Sequence, residues 1–165
     1  MDLGIAGKAA LVTGAARGIG KAEATALAAE GVAIAINDID AAAAETTAAE
    51  LRASGATAIV CIGDVSDEAS AERVVREAAQ GLGRLDILVN NAGAGGKYLG
   101  RSAADMAVAD WDIILNTHLR STFLCSKFAT PFMRAHGFGR IINTSSMNVT
   151  GGGRPGVTNY SAAKA

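Results

Sequence analysis

Five short runs of aliphatic and β-branched residues, at 9–13, 32–37, 56–62, 85–89 and 140–143, are separated by stretches of helix-forming composition. A run that is apolar at nearly every position must be buried on both faces, and strands joined through helices run parallel. The order therefore predicts an α/β fold, a doubly wound parallel sheet with helices on both sides. The helical stretches carry their own punctuation. The first, 18–30, stops at Gly31, and the second, 40–54, is closed by Gly55, both suited to a left-handed C-terminal cap. Ser66 is placed to N-cap a third helix whose first turn carries Asp67 and Glu68 and which ends near 81–83. A long helix is expected from Asp110 to about His136, with Trp111, Ile114, Leu115, Leu119, Thr122 and Phe123 at helical spacing and Pro131 as a kink or break.

Half of the chain is apolar but only 4% is aromatic, so the core must be built from small and branched side chains. At 165 residues one domain is expected, spanning 1–165. Fifteen basic residues against sixteen acidic ones leave a net charge of −1, which offers no field for nucleic acid or an anionic membrane. No apolar run approaches the roughly eighteen residues that would span a bilayer. Cys61 and Cys125 are too few for a disulfide framework and fit a reducing, cytoplasmic setting. No metal is expected to be held.

The junction after the first strand reads Thr13-Gly14-Ala15-Ala16-Arg17-Gly18-Ile19-Gly20. A phosphate needs backbone N–H groups at close range and the positive end of a helix, and glycines remove the Cβ atoms in the way. A P-loop is excluded by spacing, since Ala15 stands where its first glycine belongs and Ala22 where its Ser or Thr would hold magnesium. The remaining readings are a dinucleotide-binding turn and a plain glycine turn. Asp38, eighteen residues beyond Gly20, is close to the offset of a ribose-binding acid. Its carboxylate would accept from both adenosine ribose hydroxyls and repel a 2′-phosphate, favouring NAD over NADP. Arg17 argues the other way, as a partner for that phosphate or simply a solvated turn residue. The plainer reading of Asp38 is the N-cap of the next helix.

Thr13-Gly14-x-x-x-Gly18-Ile19-Gly20, Asp64-Val65, Asn90-Asn91-Ala92-Gly93 and Tyr160-x-x-x-Lys164 stand in an order that resembles the short-chain dehydrogenase/reductases, from Lys8 to Ala165. The resemblance implies a Rossmann-like sheet of order 3-2-1-4-5. It places Asp64 and Val65 beside adenine and gives Asn91, Ala92 and Gly93 the nicotinamide side. Read on their own residues, Asp64 is also a helix-initiating turn residue and the Asn-Asn-Ala-Gly run a polar turn. The resemblance further implies that the chain continues beyond Lys164. The last two family strands would be absent from these 165 residues, leaving the fifth strand as an apolar edge and the isolated segment aggregation-prone with little turnover.

Moving hydride between an alcohol and NAD requires a group that takes and returns the hydroxyl proton. Tyr160 can do both, and Lys164 lies one helical turn later, where an ammonium favours the phenolate and can hold the nicotinamide ribose. Ser146, expected at the end of the fifth strand, would orient the substrate oxygen, with Ser145 its neighbour. The resemblance implies a further relay position in the long helix; His118 aligns with it and Asn116 is the rival, only one of which can face the lysine. Loops 94–101 and 147–159, the second with its Gly151-Gly152-Gly153-Arg154 insert, would line the pocket. The expected function is an oxidoreductase acting on a small-molecule secondary alcohol or ketone, assembled as a homodimer or homotetramer. The alternatives are an NADPH-dependent 3-oxoacyl thioester reductase and, of another class, a non-catalytic dinucleotide-binding fragment or sensor.

Overall fold

A computed structural model describes residues 2–150 and 155–165. Strands β1 (Ala9–Thr13), β2 (Ala33–Asp38), β3 (Ala58–Ile62), β4 (Ile87–Asn90) and β5 (Arg140–Asn143) form one parallel sheet. Its order is β3-β2-β1-β4-β5, as expected. The central strand β1 is buried at every position, with Val12 flanked by Ile36 of β2 and Val89 of β4.

Alternate strand residues feed two cores. Leu11, Ala35 and Leu88 face Val74, Val75 and Ala78 of helix α3 (Glu68–Gly81) and Leu124, Cys125 and Ala129 of helix α5 (Ser121–Ala135). On the other side Val12, Ile34 and Ile36 face Ala24 of α1 (Gly18–Ala29) and Ala44 and Ala48 of α2 (Ala41–Ala53). The alanine-rich helices thus lie close against the sheet through small side chains, and branched strand residues supply most of the buried volume.

Several elements differ from expectation, each for a local reason. Strands β2 and β3 start late because Val32 and Ala56 donate back to Leu27 and Leu51 in the preceding helices. The N-cap of α3 is Asp67, which accepts from Ser70 N at 2.8 Å; Ser66 is instead held by Asp64, through its N–H at 2.9 Å and its hydroxyl at 2.7 Å. Adjacent cap-forming residues compete, and the one three positions before a free N–H wins. The long helix begins at Val108 and is interrupted: α4 (Val108–Leu115) passes through a π-helical turn (Asn116–Arg120) into α5. Pro131 lies inside α5 and does not end it, since the helix closes only a turn later at Ala135.

The apolar stripe anticipated along the long helix is only partly buried. Leu119 and Phe123 are 50% and 61% exposed, while Leu124, Cys125, Ala129 and Met133 meet the sheet. A π turn takes up more residues per turn than an α turn and rotates everything beyond it.

At the N-terminal end of the sheet Asp86 is fully buried. It accepts from Ala9 N at 3.0 Å and from Arg84 Nε at 2.6 Å, tying β1 to the start of β4. Strand β5 is one of the two outer strands among the described residues, with Ile141 and Ile142 exposed. All five strands point their C-terminal ends to one side, where the site lies.

Candidate active site

A cleft of about 1450 Å³ opens along the C-terminal ends of the strands. The glycine turn forms one wall. Gly14 and Gly18 have φ of +64° and +60°, and a Cβ on Gly14 would stand 2.9 Å from Ala92 Cα. A Cβ on Gly20 would meet Asn91 Nδ2 and Gly14 O at 2.5 Å. Two side chains join this turn to the one after β4. Thr13 Oγ1 accepts from the N–H groups of Asn91 and Ala92 at 3.1 and 3.0 Å, and Asn91 Nδ2 donates to the carbonyls of Thr13 and Gly14. Asn91 is thus a brace between turns.

No side chain caps the N-terminus of α1, and nothing lies within 4 Å of where a Gly18 Cβ would be. Exposed Gly18 and Ile19 leave an uncapped helix end facing open space, which suits a pyrophosphate.

Asp38 stands at the end of β2, on the same side of the cleft. Its carboxylate accepts from Ala16 N at 3.1 Å and from Ile39 N and Asp40 N at 2.8 and 3.1 Å. It does not cap the next helix: Asp40 does, accepting from Ala43 N at 3.1 Å. Arg17 is ion-paired with that same Asp40. The Ala43 N–H, with the Arg17 guanidinium adding to it against the cost of burial, holds the Asp40 carboxyl below its usual range. Asp64 lines the cleft while also holding the Ser66 turn, and Val65 is buried and reaches from the core into the cleft wall.

The other end of the cleft carries the reactive side chains. Tyr160 and Lys164 project from helix α6 (Thr158–Lys164), with Lys164 Nζ 5.9 Å from the Tyr160 ring centre. Lys164 donates to Thr144 O, and burial lowers its pKa against the opposing pull of Glu23. Strand β5 stops at Asn143, so Ser146 lies in the following loop and not at the strand end; it lines the cleft nonetheless. Ser145 is turned away, donating to Lys164 O at 2.9 Å.

His118 sits in the π-helical turn, 7% exposed, with its ring perpendicular to that of Tyr160 and the centroids 5.2 Å apart. Its Nε2 lies 2.7 Å from Ala94 O, and its buried Nδ1 has no partner among the described residues. Asn116 is exposed and does not line the cleft. Gly93 makes room for the imidazole, since a Cβ there would fall 2.1 Å from His118 Cε1. Tyr98 and Leu99, of the loop 94–101 expected to line the pocket, lie at this end, as do Ile113 and Thr117, which were not singled out from the sequence although they stand four apart on one helical face. The insert at 151–154 lies outside the described residues.

Burial holds the His118 imidazole below its usual range; the Ala94 backbone opposes this and the Lys164 ammonium adds to it. The folded chain therefore takes up this proton less readily than the unfolded one. Its contribution to stability is full above the ordinary histidine value of about 6.5 and declines as pH falls below it. His118→Asn is expected to flatten that part of the stability profile, measured by urea unfolding at a series of pH values. An unchanged slope would assign the proton to another group.

The doubly wound sheet with a glycine turn at one end of its cleft and a Tyr-x-x-x-Lys helix at the other defines a dehydrogenase-type domain. The chain belongs to the short chain dehydrogenase family, whose family model matches residues 8–165. It is 39% identical over 165 residues to the (2S)-[(R)-hydroxy(phenyl)methyl]succinyl-CoA dehydrogenase subunit BbsD of Thauera aromatica, covering 99% of this chain and 64% of that one. To a 3-oxoacyl-[acyl-carrier-protein] reductase of Synechocystis it is 40% identical over 158 residues, 94% of this chain and 62% of the relative. A short chain dehydrogenase from Burkholderia cenocepacia J2315, solved in complex with NADP, superposes with a TM-score of 0.87 at 36% identity, covering 97% of this chain and 64% of that one. The chain thus spans less than two thirds of the length of these relatives. Among the described residues no helix is long and apolar enough to cross a membrane, and no cluster of His, Cys, Asp and Glu suits a metal ion.

Proposed function

We propose that the whole protein is an oxidoreductase moving hydride between NAD and a secondary alcohol or ketone. The observation that carries this reading is the gathering of Tyr160, Lys164, Ser146 and His118 at one end of a cleft whose other end holds the glycine turn and Asp38. Bound NAD supplies the hydride acceptor. The turn at Gly14, Arg17, Gly18, Ile19 and Gly20 holds its phosphates, Asp38 the adenosine ribose, and Asp64 and Val65 the adenine. Asn91, Ala92 and Gly93 shape the nicotinamide side. Tyr160 takes the hydroxyl proton, Ser146 orients the same oxygen, and Lys164 both favours the ionised phenol and holds the second ribose. The unpartnered Nδ1 of His118, beside Tyr160, is suited to pass the proton on through water.

The preference for NAD rests on charge. Asp38 is fixed by three backbone donors, and the one guanidinium of the turn is drawn to Asp40. A second reading, NADPH-dependent reduction of a 3-oxoacyl thioester, draws support from the Synechocystis reductase and from the NADP-bound Burkholderia structure. The relative acting on a succinyl-CoA supports an acyl thioester as substrate under either reading. The intact Tyr160 and Lys164 weigh against a non-catalytic sensor. A cytoplasmic homodimer or homotetramer fits the exposed Leu119 and Phe123 and the two free thiols, which burial pushes up to about 12.

The test is titration with both cofactors, oxidised and reduced, followed by Asp38→Ala. Removing the carboxylate is expected to raise the use of NADP relative to NAD by about tenfold, or ~1.4 kcal/mol. An unchanged ratio would transfer the choice to Arg17.

A further inference from the structure

Asn159 is fully buried and immediately precedes Tyr160. Both of its amide N–H donors and its carbonyl oxygen are used, each bond toward a different part of the site. Its Oδ1 accepts from Tyr160 N at 2.8 Å, satisfying an N–H that the first turn of a helix leaves without a partner. Its Nδ2 donates to Tyr98 O at 3.1 Å, in the loop lining the substrate end, and to Asp110 O at 3.2 Å, in the first turn of α4. A second contact lies nearby. Gly100 N donates to Gly156 O at 2.7 Å, and Gly156, with φ of +82°, has its α-carbon so close that a Cβ would stand 2.7 Å from Gly100 Cα. The pocket loop is therefore fastened twice, to the first turn of α6 through Asn159 and to the segment before it through Gly156.

We infer that Asn159 is a positioning residue that latches the pocket loop to α6, so that the placement of Tyr160 depends on the conformation of residues 96–100. The inference rests on Tyr160 being the proton-transfer group. The chemistry is that of a primary amide: one planar group presents two donors to two carbonyls and one acceptor to an N–H, a set no other side chain of this size reproduces. Its connections run between the loop that meets substrate and the helix that carries the acid–base group. A substrate that moves the loop therefore moves Tyr160.

Asn159→Asp and Asn159→Ala separate this role from simple capping of α6. The aspartate keeps an acceptor for Tyr160 N but turns lone pairs toward the carbonyls of Tyr98 and Asp110. Both variants of the whole protein are expected to speed hydrogen exchange at the Gly100 and Tyr160 amides together by at least tenfold, leaving Leu11 and Val12 of β1 unchanged. Both are also expected to lower kcat at least tenfold with the cofactor KM within twofold. If Asn159→Asp keeps Gly100 protected and kcat near that of the parent, only the cap matters and the latch is overturned. Gly156→Ala, which strikes the second contact without touching Asn159, is expected to loosen Tyr160 as well; a Tyr160 amide that keeps its protection there also overturns it. Exchange is read without turnover. A parent protein that oxidises or reduces no substrate would therefore defeat the proposed function while leaving the latch to be decided by exchange alone.

Discussion

Tyr160→Phe is expected to abolish turnover while leaving dinucleotide affinity within about twofold. The substitution deletes one oxygen and no volume, so α6 and the His118 contact, made through the ring, persist. What is lost is the group proposed to take the proton as hydride leaves, a contribution of about 10²–10⁴ in rate. In the proposed reading the phosphates and adenosine ribose are held at the far end of the cleft by the glycine turn and Asp38, away from the phenol oxygen. Steady-state kinetics with a responsive alcohol or ketone, beside a fluorescence titration of the cofactor, separates the two effects. Residual activity within tenfold of the parent would remove Tyr160 from the role.

Asp86→Ala is expected to carry the largest cost in stability, about 2–3 kcal/mol, by urea unfolding at neutral pH. The carboxylate is buried beneath the sheet and binds both Ala9 N and Arg84, so its loss orphans a backbone N–H and a guanidinium. Arg84 is one-third exposed and can turn toward water, which keeps the cost near the lower end of buried-pair losses. Burial pushes the Asp86 carboxyl up, but Arg84, the Ala9 N–H and Lys8 together hold it below its usual range. Its stabilisation is therefore present above the ordinary aspartate value, about 3.9, and lost as pH falls below it, a limb that the variant should lack. A loss under about 1 kcal/mol would show that water replaces the carboxylate.

What was legible in advance was whatever the backbone itself demands. The glycine turn could be read because only glycine tolerates the φ of Gly14 and the crowding at Gly20, and the strands because double burial leaves an unbroken apolar run. Strand order came from resemblance, since apolar runs do not encode their neighbours. The cap of α3 was misplaced by one residue because Ser66 and Asp67 have equal local claims, and the arbiter was the Asp64 carboxylate, which accepts from the Ser66 N–H and hydroxyl. The pairing of Arg17 with Asp40, the room Gly93 leaves for His118 and the bonds of Asn159 to Tyr98 and Asp110 all join segments far apart in sequence. No periodicity reports such meetings. Only the folded chain does.

The π-helical turn at 116–120 gives the long helix two phases. Ile113, upstream of it, and Thr117, in its first residues, answer to the cleft; downstream Leu124, Cys125 and Ala129 answer to the sheet. An uninterrupted α-helix advances about 100° per residue and would bring one of these sets out of alignment with its target. The turn acts as a gear change, letting a single rod meet two surfaces whose spacings are incommensurate. His118 occupies the gear itself, and so its imidazole is aimed by the helix's irregularity and not by its repeat.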